Sequence, residues 1–116
     1  MYKIKINSLL KPYGLEFTNS YRKDLKKLYS KGDLILIDSV IFLTYGLPNF
    51  INKLAIIIIK TDESKKEYLY IANIISDILK KDFSKKNKII CIGGGILQDI
   101  CSFISLILFR GFDWVF

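Results

Sequence analysis

Apolar and polar positions alternate at the start of the chain, with Tyr2, Ile4 and Ile6 set against Lys3, Lys5 and Asn7. A period of two predicts a half-buried strand. Lys11-Pro12-Tyr13-Gly14 is a turn signal and residues 15–18 form a short returning strand, so a hairpin is expected. Asn19 or Ser20 stands where a helix would be capped, through Leu25, Leu28 and Tyr29, with Lys31-Gly32 to end it. From residue 33 the pattern changes. Residues 33–38 (DLILID), 54–60 (LAIIIIK) and 89–92 (IICI) are continuous apolar runs. Such runs suit strands buried on both faces, as in a parallel sheet.

Helical patterns separate these runs. After Asp38 and Ser39 a short helix runs through Val40, Ile41, Leu43 and Thr44 and stops at Gly46 and Pro48. Tyr68, Ile71, Ala72, Ile75, Ile78 and Leu79 recur at i, i+3, i+4, which predicts an amphipathic helix, and Ser64 and Glu67 have capping-box spacing before it. Residues 96–109 are apolar nearly all round, so that helix expects cover on most sides. Arg110-Gly111 ends it, and residues 112–116 read as the beginning of a further strand. The alternation predicts one α/β domain over residues 1–116: a Rossmann-like layered fold with a largely parallel sheet and an N-terminal hairpin.

The candidate chemistry gathers in residues 88–99, KIICIGGGILQD. A strand runs into Gly93, Gly94 and Gly95 and then into a helix. There the N–H groups of the turn and the positive end of the helix dipole face one point, which suits a phosphate. Without a Cβ the backbone can approach a pyrophosphate closely. The glycine spacing alone is a weak dinucleotide signature, because Gln98 stands where a small residue is expected. Asp38, at the end of a predicted parallel strand, lies on the edge where open α/β sheets bind ligands. From spacing alone, the stronger reading is that Asp38 or Ser39 caps the helix that follows.

Bulk composition narrows the partners. The formal charge is +7, yet sixteen of the eighteen basic residues are Lys, dispersed in short clusters, and only Arg22 and Arg110 are Arg. Solvated Lys on loops and helix ends explains this better than a nucleic-acid surface, which leans on Arg. There is no histidine, which excludes a histidine triad or a histidine-ligated zinc site within these residues. Cys91 and Cys101 are not in a C-x-x-C pair and read as two small buried hydrophobes in a reducing compartment. No signal peptide and no membrane span are expected, since the longest apolar runs reach about 7 to 14 residues. A cytoplasmic location follows from this reading.

Three motifs in order resemble the 3-dehydroquinate synthase family of sugar-phosphate cyclases. IGGGILQDICSFISLILFRGFDWVF resembles the family's glycine triplet, Asp, apolar helix and Arg-Gly pair. LILIDSVIFLTYG resembles the segment where a strand ends in an acid near the adenosine of NAD. TDESKKEYLYIANIISDILKK resembles the family's Gly-Glu-x-x-Lys motif, with Asp62 in place of the usual Gly and Glu63 and Lys66 matching. The resemblance implies an NAD-binding N-terminal domain. Asp38 would lie by the adenosine, and Asp62, Glu63 and Lys66 by the ribose and neighbouring groups. Gly93, Gly94, Gly95 and Asp99 would form the pyrophosphate and nicotinamide side. Arg110 would reach a substrate phosphate, across a dimer interface. Each has a plainer rival: a charged helix start for Glu63 and Lys66, a dipole contact for Asp99, a helix cap for Arg110.

The family's chemistry oxidises one ring carbon of a seven-carbon sugar phosphate with NAD, eliminates phosphate, reduces the carbonyl back and closes a carbocycle, in aromatic amino acid biosynthesis or related cyclitol synthesis. A divalent metal, zinc or cobalt, is held by a Glu and two His of a helical C-terminal domain. The resemblance therefore implies a chain truncated before that domain, with no catalytic residue and no metal ligand of its own, and inactive alone. A homodimer or a separate C-terminal chain are the protein partners it admits. Gln98 and Ser102, where the family commonly has Gly, point to a divergent branch. Two other readings stand beside this one: a fragment like the iron-dependent alcohol or glycerol dehydrogenases, and a non-catalytic α/β interaction module that uses the apolar helix 96–109.

Overall fold

The computed structural model describes residues 2–7, 13–61, 68–108 and 113–116. Three parallel runs form its centre: β3 (Leu34–Asp38), β4 (Ile56–Ile59) and β5 (Lys88–Ile92), joined at one edge by the short β6 (Asp113–Val115). The sheet order is β4-β3-β5-β6 and every pairing is parallel. All five residues of β3 are buried, as a strand covered on both faces requires. β4 starts two residues later than the apolar run suggests, because Asn52 caps a 3-10 turn over Lys53–Ala55.

Helices cover both faces. α1 (Tyr21–Leu28) and α2 (Ser39–Tyr45) lie on one face, where Leu25, Ile35, Ile37, Ile51 and Ile90 pack with Ile41 and Phe42. α3 (Tyr68–Leu79) and α4 (Gly95–Ile107) lie on the other, closing a larger core around Leu34, Leu36, Ile59, Ile78, Ile89, Leu97, Ile100 and Ile104. Alternate residues of each strand feed the two cores, so the chain forms a layered α/β fold. The buried line of α3 is Ile71, Ile74 and Ile78, while Tyr68 and Leu79, expected on that face, are exposed. α1 begins after Ser20, but that side chain makes no cap bond; the Thr18 hydroxyl accepts from Ser20 N–H and donates to Asp24 instead.

Two expectations need correction. The N-terminal hairpin forms, with β1 (Tyr2–Ile6) antiparallel to β2 (Tyr13–Phe17), but it is a separate two-stranded sheet. Ile4, Leu15 and Phe17 are exposed, so its alternating pattern does not mark a half-buried strand. The cysteines are not separate thiols. Cys91 in β5 and Cys101 in α4 are joined as a disulfide, with Cα atoms 6.9 Å apart. Cys91 faces the larger core, and Cys101 lies on the buried stripe of α4 with Leu97, Ile100 and Ile104. A helix folding straight back over its own strand brings these positions together through ten residues of chain, which no C-x-x-C spacing signals.

Both ends of β3 carry a buried acid. At its N-terminal end Asp33, 2% exposed, pairs with Lys88 Nζ and accepts from Lys88 N and Ser30 N at 3.0 and 2.9 Å. This pins the start of β3 to the start of β5. Asp38 at the other end belongs to the candidate site.

Candidate functional site

The strand order fixes where a ligand would sit. From β3 the chain steps to β4 on one side, then crosses back to β5 on the other side of β3. The direction reverses between β3 and β5, and the α/β rule puts ligands outside the C-terminal strand ends at such a point. Asp38 ends β3 and the glycine turn follows β5, so the two features singled out in the sequence flank this crevice.

Asp38 is the N-cap of α2. Its Oδ1 accepts from Val40 N at 2.8 Å and Ile41 N at 3.4 Å, and its Oδ2 accepts from the Thr61 hydroxyl. The Thr61 hydrogen bond holds its carboxyl below the ordinary aspartate range; burial opposes that and the two backbone N–H groups reinforce it. The acid is therefore a helix cap by geometry, and it joins the ends of β3 and β4. Thr61 went unnoticed in the sequence. Its signal is the parallel register that pairs Asp38 with Ile59, which leaves Thr61 just beyond the strand end.

The three glycines separate into two kinds. A Cβ on Gly93 would stand 2.7 Å from Leu97 Cδ2 and 3.4 Å from Asp38 Cβ. Leu97 is fully buried, so Gly93 is a packing glycine that lets α4 close down on β5. A Cβ on Gly94 or Gly95 would meet nothing within 4 Å. Gly94 is the N-cap of α4 and makes no side-chain cap bond. The N–H groups of the first turn of a thirteen-residue helix thus face a cradle left open at Gly94 and Gly95. This cradle fits a phosphate-bearing cofactor. Gln98 and Asp99 are exposed on α4 just beyond it.

Of the other sequence candidates, Asp62, Glu63, Lys66 and Arg110 lie outside the described residues, as does the capping box of Ser64 and Glu67. No group of three His, Cys, Asp or Glu among the described residues could hold a metal ion. The donor chemistry for a divalent metal does not fit the described residues. No helix among them is long and apolar enough to cross a membrane. A cavity of about 910 Å³ opens at the opposite, N-terminal edge of the strands, lined by Tyr29, Asn52 and the lysines 31, 80, 81 and 86 among others, away from the glycine turn.

The family model for the N-terminal part of 3-dehydroquinate synthase matches residues 56–116, just over half of the chain. The chain belongs to the 3-dehydroquinate synthase family. The matched segment runs from β4 through the glycine turn to β6. Among similar proteins, the 3-dehydroquinate synthase of Pelagibacter ubique is 23% identical over 125 residues, covering 99% of this chain and 34% of that protein. That of Streptococcus equi is 26% identical over 129 residues, covering 97% of this chain and 33% of that protein. That of Thermodesulfovibrio yellowstonii is 30% identical over 60 residues, covering 52% and 17%. The chain thus spans about a third or less of the length of these family members. A solved 2-deoxy-scyllo-inosose synthase, in complex with carbaglucose-6-phosphate, NAD+ and Co2+, superposes with a TM-score of 0.75 at 18% identity. It covers 97% of this chain, which corresponds to 34% of that one. The layered fold is therefore shared with that synthase over 97% of this chain.

Proposed function

We propose that this chain is the NAD-binding portion of a 3-dehydroquinate synthase-like cyclase. The observation that carries the reading is the open cradle over Gly94 and Gly95 at the N-terminus of α4, set against Asp38 at the sheet's reversal point. The similar 2-deoxy-scyllo-inosose synthase, solved with NAD+, supports it. When bound, NAD supplies a hydride acceptor. The chain's own part is to seat it: first-turn N–H groups of α4 take the pyrophosphate, the Asp38 corner takes the adenosine, and Asp62, Glu63 and Lys66 serve the ribose and neighbouring groups. Asp99 lies toward the nicotinamide side, and Arg110 reaches a substrate phosphate. The metal and the groups that move protons come from outside these residues, so the chain alone binds cofactor and does not turn over a sugar phosphate.

On this reading helical structure outside these residues completes the site, and a second copy of the chain is a further protein partner. The chain works in the cytoplasm, in the shikimate pathway or a related cyclitol synthesis. Calorimetric titration of the folded chain with NAD tests the core of it. Saturable binding at one site is expected; no heat and no saturation from a folded chain overturns the proposal. The family match over residues 56–116 favours the cyclase over an iron-dependent dehydrogenase.

A further inference from the structure

We propose that Cys91 and Cys101 form a reversible redox clip whose state sets how firmly the glycine turn is held. The bond joins the inner face of β5 to the second turn of α4. The ring it closes contains Gly93, Gly94, Gly95, the first turn of α4 and Asp99, which is every candidate cofactor group contributed by this strand–helix unit. Oxidised, the turn is fixed covalently at both ends. Reduced, it is held by non-covalent packing alone, chiefly Leu97, Ile100 and Ile104 against the sheet, and Gly94 and Gly95 add no side-chain contacts. Glycine carries the largest backbone freedom of any residue, so this turn is where the loss of a clip is felt most.

The chemistry balances with a small-molecule disulfide such as oxidised glutathione. One cysteine thiolate attacks a glutathione sulfur and expels one glutathione thiolate; the second cysteine thiolate attacks the mixed disulfide and expels the other. Two electrons pass from the cysteine pair to glutathione, and the two cysteine protons end on the two released thiolates. Reduction by a dithiol reverses both steps. Cys91 and Cys101 are 4% and 2% exposed, so exchange in either direction requires α4 to lift from β5. That makes the clip slow and confines its chemistry to moments when the turn is already open. In a reducing compartment the thiol form is the resting form and the clipped form is a response to oxidation.

The test uses the unmodified chain in two buffers, oxidised and reduced glutathione, and needs no variant. Denaturation with N-ethylmaleimide followed by intact-mass measurement counts free thiols: none after oxidation and two after reduction are expected. Hydrogen exchange then compares the states. Amides of residues 93–97 exchange at least tenfold faster in the reduced protein, while those of α1, on the other face of the sheet, change less than twofold. Two free thiols after prolonged oxidation, or equal exchange at residues 93–97 in both states, overturns the proposal. NAD titration of both states adds a readout that rests on the cofactor reading: about tenfold tighter binding by the oxidised form. If neither state binds NAD, that reading falls, and hydrogen exchange still decides the clip.

Discussion

Gly93 and Asp38 stand back to back across the gap between β5 and β3, so close that a single methyl on Gly93 would touch the Asp38 side chain at 3.4 Å and press harder still on Leu97. The ends of two parallel strands leave room there for a glycine and little more. The three glycines should therefore answer differently to the same substitution. Gly93→Ala forces the fully buried Leu97 out of place and costs about 1–3 kcal/mol of stability. Gly94→Ala and Gly95→Ala leave folding within about 1 kcal/mol, with Gly95→Ala on the stabilising side because it starts a helix. Either of those two weakens NAD binding by at least tenfold if the cradle is the cofactor site. Urea denaturation and calorimetry on the three variants separate the effects; equal stability loss at all three positions would show the division to be wrong.

Asp38 predicts an acid limb. Its carboxyl sits below the ordinary aspartate value, chiefly through Thr61. A depressed folded pKa means that the unfolded chain takes up the proton first as pH falls. The stabilisation is thus full above about pH 4 and is lost as pH drops through the lower folded value. Asp38→Asn removes this part of the acid limb, so the stability gap between wild type and variant narrows from neutral pH toward pH 2. Asp38→Ala also removes the cap of α2, costing about 1–2 kcal/mol at neutral pH. Chemical denaturation across pH 2 to 7 checks both; a gap that stays constant with pH contradicts the assignment.

The opposite end of β3 predicts a larger loss. Asp33→Ala leaves Lys88 and two backbone N–H groups without their buried acceptor, at about 2–4 kcal/mol. The exposed pair Lys3–Glu16 on the hairpin serves as the comparison, since Glu16→Ala should stay within about 0.5 kcal/mol. Urea midpoints that fall equally for both variants would refute the contrast.

α4 buries Leu97, Ile100, Cys101, Ile104 and Ser105 and exposes Phe103, Leu106 and Ile107. An apolar face of this kind seeks cover. The chain should sediment as species larger than its 13.4 kDa monomer, and Leu106→Glu should shift it toward monomer. A monodisperse wild-type monomer at tens of micromolar would count against this.

The central fold was legible because each apolar run was bounded by an acid, a glycine or a lysine and was too short for a helix. Residues 33–38 suit a strand buried on both faces, and the period of residues 68–79 is that of an amphipathic helix. What escaped was whatever depends on the third dimension. The hairpin has the alternation of a half-buried strand, yet Ile4, Leu15 and Phe17 stand exposed on a sheet of two strands. The disulfide was hidden because its two positions meet only once α4 has folded back over β5. The split among the glycines was hidden for the same reason: all three look alike in sequence, and only Leu97 beneath one of them tells them apart. Asp38 was read both as ligand-edge acid and as cap, and the geometry makes the cap definite.

Pinning β3 to its neighbours at both ends has a consequence for entry. Asp33 ties it to β5 below, and Asp38, accepting from Thr61, ties it to β4 above. Strands so fixed keep the ordinary spacing of about 4.8 Å and cannot spread to admit a guest. Whatever rests on this edge must be admitted from over the top, and its fit is then governed by the height of the turns standing above the sheet, never by the width of the gap within it.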